Sequence, residues 1–224
     1  VKKNILNDKM DPIDFFKLTD DMNKKTIKNE KKLAKIFSQK KPVITYLLIV
    51  LNVMMYLFSF VFPKLTGMFC NTYFGIQAGQ FYRVLTSMFF HGNLIHLLCN
   101  MYALYMIGPQ VERYYGKRRF AFIYLVSGML GSIFSCAFMS ETTAMYGGSI
   151  GASGAIFGLL GSISYFSYYY RATLQDTLRN NVSPVIIANL LLSILVPGID
   201  FFGHVGGLIG GLLTSMVIGI GDKG

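Results

Sequence analysis

Four residues of this chain have the types and spacings of an acyl-transfer centre. Ser153 stands in Gly151-Ala152-Ser153-Gly154, where glycines keep a hydroxyl uncrowded and let the backbone approach other groups closely. His204 stands in Gly203-His204-Val205-Gly206-Gly207, with Gly207 and Gly211 following at i+3 and i+7, so a smooth helix face lies beneath the imidazole. Gly158 and Gly161 give the helix after Ser153 a matching character. Two such helices pressed together would bring Ser153 within reach of His204 as a nucleophile–base pair. Glu141 and Asp200 lie in the connections before the two helices, so a dyad is expected rather than a triad. His96 and Asn100 are four apart and share one helix face. They admit two readings: fixed donors to an oxyanion formed at Ser153, or side chains that glue helices by hydrogen bonds.

These residues need elements to hold them, and hydropathy supplies six. A spanning helix takes roughly 20 apolar residues. Candidate spans are Val43–Phe62, closed by Pro63; Met88–Ile107, closed by Gly108-Pro109; Phe120–Met139; the short Gly154–Tyr170; the short Val182–Val196, closed by Pro197-Gly198; and Phe201–Ile220. Span four is entered through the glycine-rich Gly147–Gly151, and its glycines place it at the centre. From Ser153 to Arg171 is about 27 Å of helix at 1.5 Å per residue. With Arg171 at the cytoplasmic surface, Ser153 then lies toward the outer face but below the headgroups. His204, near the outer end of span six, shares that depth.

Charge sets the direction of the spans. Of 21 Lys and Arg, 12 lie in residues 1–42, and Arg113, Lys117, Arg118, Arg119, Arg171, Arg179 and Lys223 fall on the same side when that region is cytoplasmic. Only Lys64 and Arg83 fall outside, as the positive-inside rule requires of six spans with both termini in the cytoplasm. The chain divides into a basic region, 1–42, and a six-span core, 43–224.

Composition excludes other classes. Among 224 residues 53% are hydrophobic, 14% are charged, and the mean hydropathy is +0.46. An ordinary soluble domain carries roughly 25% charged residues. Nucleic acid is not an expected partner, because the basic residues lie outside the apolar runs and are not interleaved through a folded face. The lysine-rich opening has no apolar core, so no signal peptide is expected within it. It reads either as a solvated tail or as a small lipid-touching domain with apolar faces at Ile13, Phe16, Leu18, Leu33, Ile36 and Phe37. Cys70, Cys99 and Cys136 are too few for a disulfide framework. No metal or other cofactor is implied.

Four motifs in order, His91-Gly-Asn-Leu-Ile-His96-Leu-Leu-Cys-Asn100, Gly108-Pro-Gln-Val-Glu112-Arg-Tyr-Tyr-Gly116, Gly151-Ala-Ser153-Gly154-Ala-Ile-Phe157-Gly158 and Gly203-His204-Val-Gly-Gly207-Leu-Ile-Gly-Gly211, resemble the rhomboid family of intramembrane serine proteases. The resemblance covers roughly residues 43–221. It implies a rhomboid-like all-α bundle, with Ser153 as nucleophile, His204 as general base, and His96 and Asn100 as oxyanion partners beside the Ser153 amide. His91, Gly151 and Phe157 would line the site. Phe157 takes a place where many relatives carry Tyr and would still stack on the histidine. Tyr82-Arg83 matches an aromatic–Arg pair in the family's outer loop, and Glu112 with Gly116 matches a structural Glu-x-x-x-Gly element.

The resemblance also implies transmembrane protein substrates, a bilayer setting, and a bacterial plasma membrane as the expected location. The competing functions are a transporter, whose internal repeats and midplane acids are not seen, and a non-proteolytic protein that holds membrane clients. Span five, short and carrying Pro184, is expected to be the loosest helix, packed mainly through Leu and Ile residues such as Leu191 and Leu195. A substrate helix would enter laterally by displacing it or the short cap Pro197–Gly203 that joins spans five and six.

Overall fold

The computed structural model describes residues 20–24, 26–31, 41–138, 148–171, 174 and 178–220. Expectations about Ile13, Phe16, Leu18, Leu33, Ile36, Phe37, Met139, Glu141, Gly147 and Lys223 lie outside the described residues. Among the described residues the chain is helical, with one isolated β-bridge between Asn71 and Ser149. Helix α1 is Val43–Val61; α2, α3 and α4 are the short Lys64–Phe69, Tyr73–Gln77 and Arg83–Thr86; a 3-10 turn, Ser87–Phe89, follows. Then come α5 (Leu94–Tyr115), α6 (Lys117–Ala137), α7 (Ser153–Tyr169), α8 (Ser183–Leu195) and α9 (Phe201–Ile218). Helices α1, α5, α6 and α9 are long and apolar enough to cross a membrane. At 17 and 13 residues, α7 and α8 are shorter than a full crossing.

Two boundaries differ from the hydropathy reading. Asn93 caps α5, accepting from the His96 amide at 2.8 Å, so this helix starts at Leu94 and not at Met88, and His91 stands ahead of it. Nor do Gly108-Pro109 close it: α5 runs on to Tyr115. An internal proline removes one helix hydrogen bond. Here the residues beyond it are worth keeping helical, because Val111, Glu112 and Tyr115 are all buried. The turn to α6 is the single Gly116 at φ +79°, which places Lys117, Arg118 and Arg119 in the first turn of α6.

Glu112 explains why the second motif is structural. Its carboxylate accepts from the Ile44 and Thr45 amides at 3.0 and 2.8 Å and from the Thr45 hydroxyl at 2.8 Å. The start of α1 offers orphan N–H groups and the positive end of its dipole, and Glu112 satisfies both. The connection between α1 and α5 has a similar clamp. Arg83, buried, donates to the Gly67 and Cys70 carbonyls at 2.9 and 2.8 Å, the open carbonyl end of α2, and to Gln80 Oε1.

Helix α7 is central, with most of its side chains buried and α5, α6 and α9 around it. Its contact with α9 is backbone on backbone. A Cβ on Gly207 would collide with the Gly154 carbonyl, one on Gly211 with the Gly158 carbonyl, and one on Gly161 with the Leu208 carbonyl. Only glycine permits helices this close. The three cysteines are free thiols.

Candidate active site

Helices α5, α7 and α9 run parallel within the bundle, so their N-terminal ends gather at one end. Ser153 is the first residue of α7 and His204 lies in the first turn of α9. The chain enters α7 through Gly151, whose φ of +119° is closed to ordinary side chains. A Cβ there would stand 2.7 Å from the His96 ring and 3.4 Å from Asn100 Nδ2. The loop is thus pressed directly onto the His96–Asn100 face of α5, two residues ahead of Ser153. A hydrogen bond from the Gly151 amide to the Ser87 carbonyl, 3.0 Å, fixes it there.

One turn after Ser153, the Phe157 ring stacks on His204, centroids 4.2 Å apart and planes 13° from parallel. Residues i and i+4 share a helix face, so the stack sets Ser153 and His204 on adjoining strips. The other side of the imidazole holds a contact that sequence reasoning missed: Ser193 Oγ on α8 lies 2.7 Å from His204 Nδ1. A lone serine in Leu-Leu-Leu-Ser-Ile-Leu carries no signal, since it can satisfy itself on its own helix.

Ser153, His204, His96 and Asn100 line one cavity of about 700 Å³. Its wall continues between α5 and α8 past Ala103, Ile107, Val185 and Asn189. Asn100 Nδ2 is buried without a hydrogen-bond partner. Neither Asn100 nor His96 makes an interhelical hydrogen bond among the described residues, so the glue reading has no contact to rest on. His91 lies one layer back, buried, with its ring 5.1 Å from that of His96 and both nitrogens unpartnered; it supports the site from behind and does not line the main cavity. Gly151 lines a small polar space beneath Ser153 with Ser132, Ser149 and Asp200. Asp200 is occupied elsewhere. It caps α9 by accepting from the Gly203 amide at 2.8 Å and accepts the Ser149 hydroxyl at 2.6 Å. No cluster of His, Cys, Asp and Glu suited to a metal ion occurs among the described residues.

The packing of α8 departs from expectation. Its looseness holds, but Leu191 and Leu195 do not pack inward; they are 53% and 75% exposed on the outer surface of the bundle. Ser193 is the one buried side chain of this helix. Apolar side chains here face lipid, which rewards them as well as a core would.

Fold and site together define a multi-pass integral membrane protein whose bundle encloses a cavity lined by a serine and histidines. Residues 78–220 match the family model for the Rhomboid domain, and the chain belongs to the rhomboid family. It is 37% identical over 197 residues to rhomboid protease GluP of Bacillus subtilis, an alignment covering 85% of this chain and 38% of that one. It is also 37% identical over 144 residues to RHOMBOID-like protein 7 and 39% identical over 149 residues to RHOMBOID-like protein 2, both of Arabidopsis thaliana, covering 64% of this chain and 44% of each relative. The chain thus spans less than half the length of these curated relatives.

Proposed function

We propose that this protein is an intramembrane serine endopeptidase that cleaves transmembrane protein substrates near the outer membrane face. The observation that carries the reading is one cavity, within an apolar bundle, that is lined by Ser153, His204, His96 and Asn100 together and whose wall extends along residues of both α5 and α8. In the reaction the Ser153 hydroxyl gives its proton to His204 as its oxygen attacks the scissile carbonyl carbon. The carbonyl electrons move onto oxygen, where Asn100 Nδ2, a His96 ring N–H and the Ser153 amide stabilise the charge. The tetrahedral centre collapses, the peptide C–N bond breaks, and the proton on His204 passes to the leaving amine. Water then attacks the acyl ester, giving its proton to His204, and the Ser153 oxygen leaves and takes that proton back. Ser153 is the first residue of α7, so the positive end of that helix dipole also faces the developing oxyanion.

Six crossings with both termini in the cytoplasm complete the proposal, α7 and α8 being the short ones. Nineteen of 21 basic residues then lie inside. Substrate enters laterally beside α8 and unwinds at its end, since a regular helix keeps its carbonyls bonded and inaccessible. The test is cleavage by the purified protein, in detergent and in liposomes, of a transmembrane segment bearing small residues at the cut and helix breakers beyond it. Wild type is expected to cleave, Ser153→Ala and His204→Ala to be inactive, and the double variant to be no worse than either. Residual Ser153→Ala activity above that of the double variant removes Ser153 as the nucleophile.

A further inference from the structure

Ser193 is the only buried side chain of α8, a helix that is otherwise mostly apolar and turned toward its surroundings. Its Oγ makes two short contacts, 2.7 Å to the Asn189 carbonyl and 2.7 Å to His204 Nδ1. A serine hydroxyl has one proton to give and lone pairs to accept with. A backbone carbonyl can only accept, so the proton is committed to Asn189. The oxygen must therefore accept from His204, and Nδ1 must carry the hydrogen. A neutral imidazole has a single N–H. Nε2 is left with a bare lone pair, the state a general base needs. When the ring gains a second proton, Nδ1–H still donates to the same oxygen, so no hydrogen has to move.

We infer that Ser193 is the positioning residue that fixes the tautomer and rotation of His204, completing on α8 what the dyad lacks on α7 and α9. The inference rests on the proteolytic reading above. Phe157 holds the imidazole by its face and fixes its plane, but stacking does not decide which edge of the ring, Nδ1 or Cδ2, faces α8. Ser193 holds it by the Nδ1 edge and removes that freedom. Asp200 does not take the role, because its carboxylate serves Ser149 and the Gly203 amide. Since Ser193 stands on the most loosely packed helix of the core, the base is competent only while α8 is seated. A substrate that displaces α8 to enter must let it return before the bond is cut.

The experiment compares Ser193→Ala, Ser193→Thr and Ser193→Val in the full chain. Thr and Val have the same shape and differ in the hydroxyl. Two readouts are taken: kcat and KM on a transmembrane substrate and on a soluble unfolded peptide, and the rate at which an alkyl fluorophosphonate labels Ser153, with Ser153→Ala as the blank. Ala and Val are expected to lower kcat and the labelling rate roughly 10-fold or more on both substrates with KM unchanged, and Thr to stay within about threefold of wild type. Equal loss in Thr and Val, or loss confined to the transmembrane substrate or to KM, would overturn the inference and make Ser193 a packing or gating residue. Wild-type protein that neither cleaves nor labels would refute the proteolytic reading itself, a different result from active wild type with an indifferent Ser193.

Discussion

Gly207→Ala puts the geometry of the bundle to a quantitative test. A methyl at this position would stand 2.7 Å from the Gly154 carbonyl carbon and 2.9 Å from its Cα, and closer still to its oxygen. Carbon atoms rest at about 3.5–4.0 Å, so α7 and α9 must part by about 1 Å at this level. No flexible side chain is available to yield, because the obstacle is backbone. Gly154 adjoins Ser153, and Gly207 lies less than one turn below His204, so the displacement falls on the Ser153–His204 distance, that of the proposed nucleophile and base. Overpacking of this kind costs about 1–3 kcal/mol of stability, and a 1 Å misplacement of reacting groups costs roughly 100-fold in rate. The assay measures kcat on a transmembrane substrate, normalised to the folded fraction from a thermal melt in the same detergent. Gly67→Ala, where nothing lies within 4 Å of the added methyl, is the control and should leave kcat unchanged and stability no lower than wild type. Wild-type kcat per folded molecule in Gly207→Ala would show that the α7–α9 spacing does not set the catalytic geometry.

Asn100→Ala should lower kcat by roughly 10–1000-fold and leave KM and thermal stability nearly unchanged, because its buried Nδ2 has no partner to lose; a large fall in melting temperature with normal specific activity would identify it as glue. Glu112→Ala should do the reverse, removing three hydrogen bonds to the start of α1 and about 2–4 kcal/mol of stability while folded molecules keep their kcat. For lateral access, Leu195→Ala on the exposed face should change nothing, whereas Ile186→Ala, whose side chain packs against the core, should speed cleavage of transmembrane substrates more than of a soluble peptide. A cysteine cross-link between positions 103 and 185, which face the same cavity from α5 and α8, should slow the transmembrane substrate selectively; unchanged cleavage would refute access at this seam.

Much of the site was legible because each of its parts is costly or distinctive in its own right. Polar residues at membrane depth stand out against apolar sequence, so His96, Asn100 and His204 declare themselves before any contact is known. The glycines at 154, 158, 207 and 211 announce a backbone-on-backbone contact, since no other residue lets two helices come so close, and the structure pairs Gly207 with Gly154 and Gly211 with Gly158. Stacking of Phe157 on His204 follows from the same register.

Other features wait on the tertiary structure. Whether α5 ends at Pro109 depends on whether Val111, Glu112 and Tyr115 find burial and an α1 terminus to clamp, and that is a property of the neighbours. His91 looks equivalent to His96 in sequence, yet the Asn93 cap starts the helix between them and sends His91 behind the cavity wall. Ser193 is the sharpest case. A serine that can bond its own helix costs little to place anywhere, so composition gives no sign of it. Apart from Ser183, Asn189 and Ser193, α8 is apolar all round, and its apolar periodicity therefore does not say which face turns inward. Only packing against α9 sets that rotation, and with it the one hydroxyl that meets the histidine.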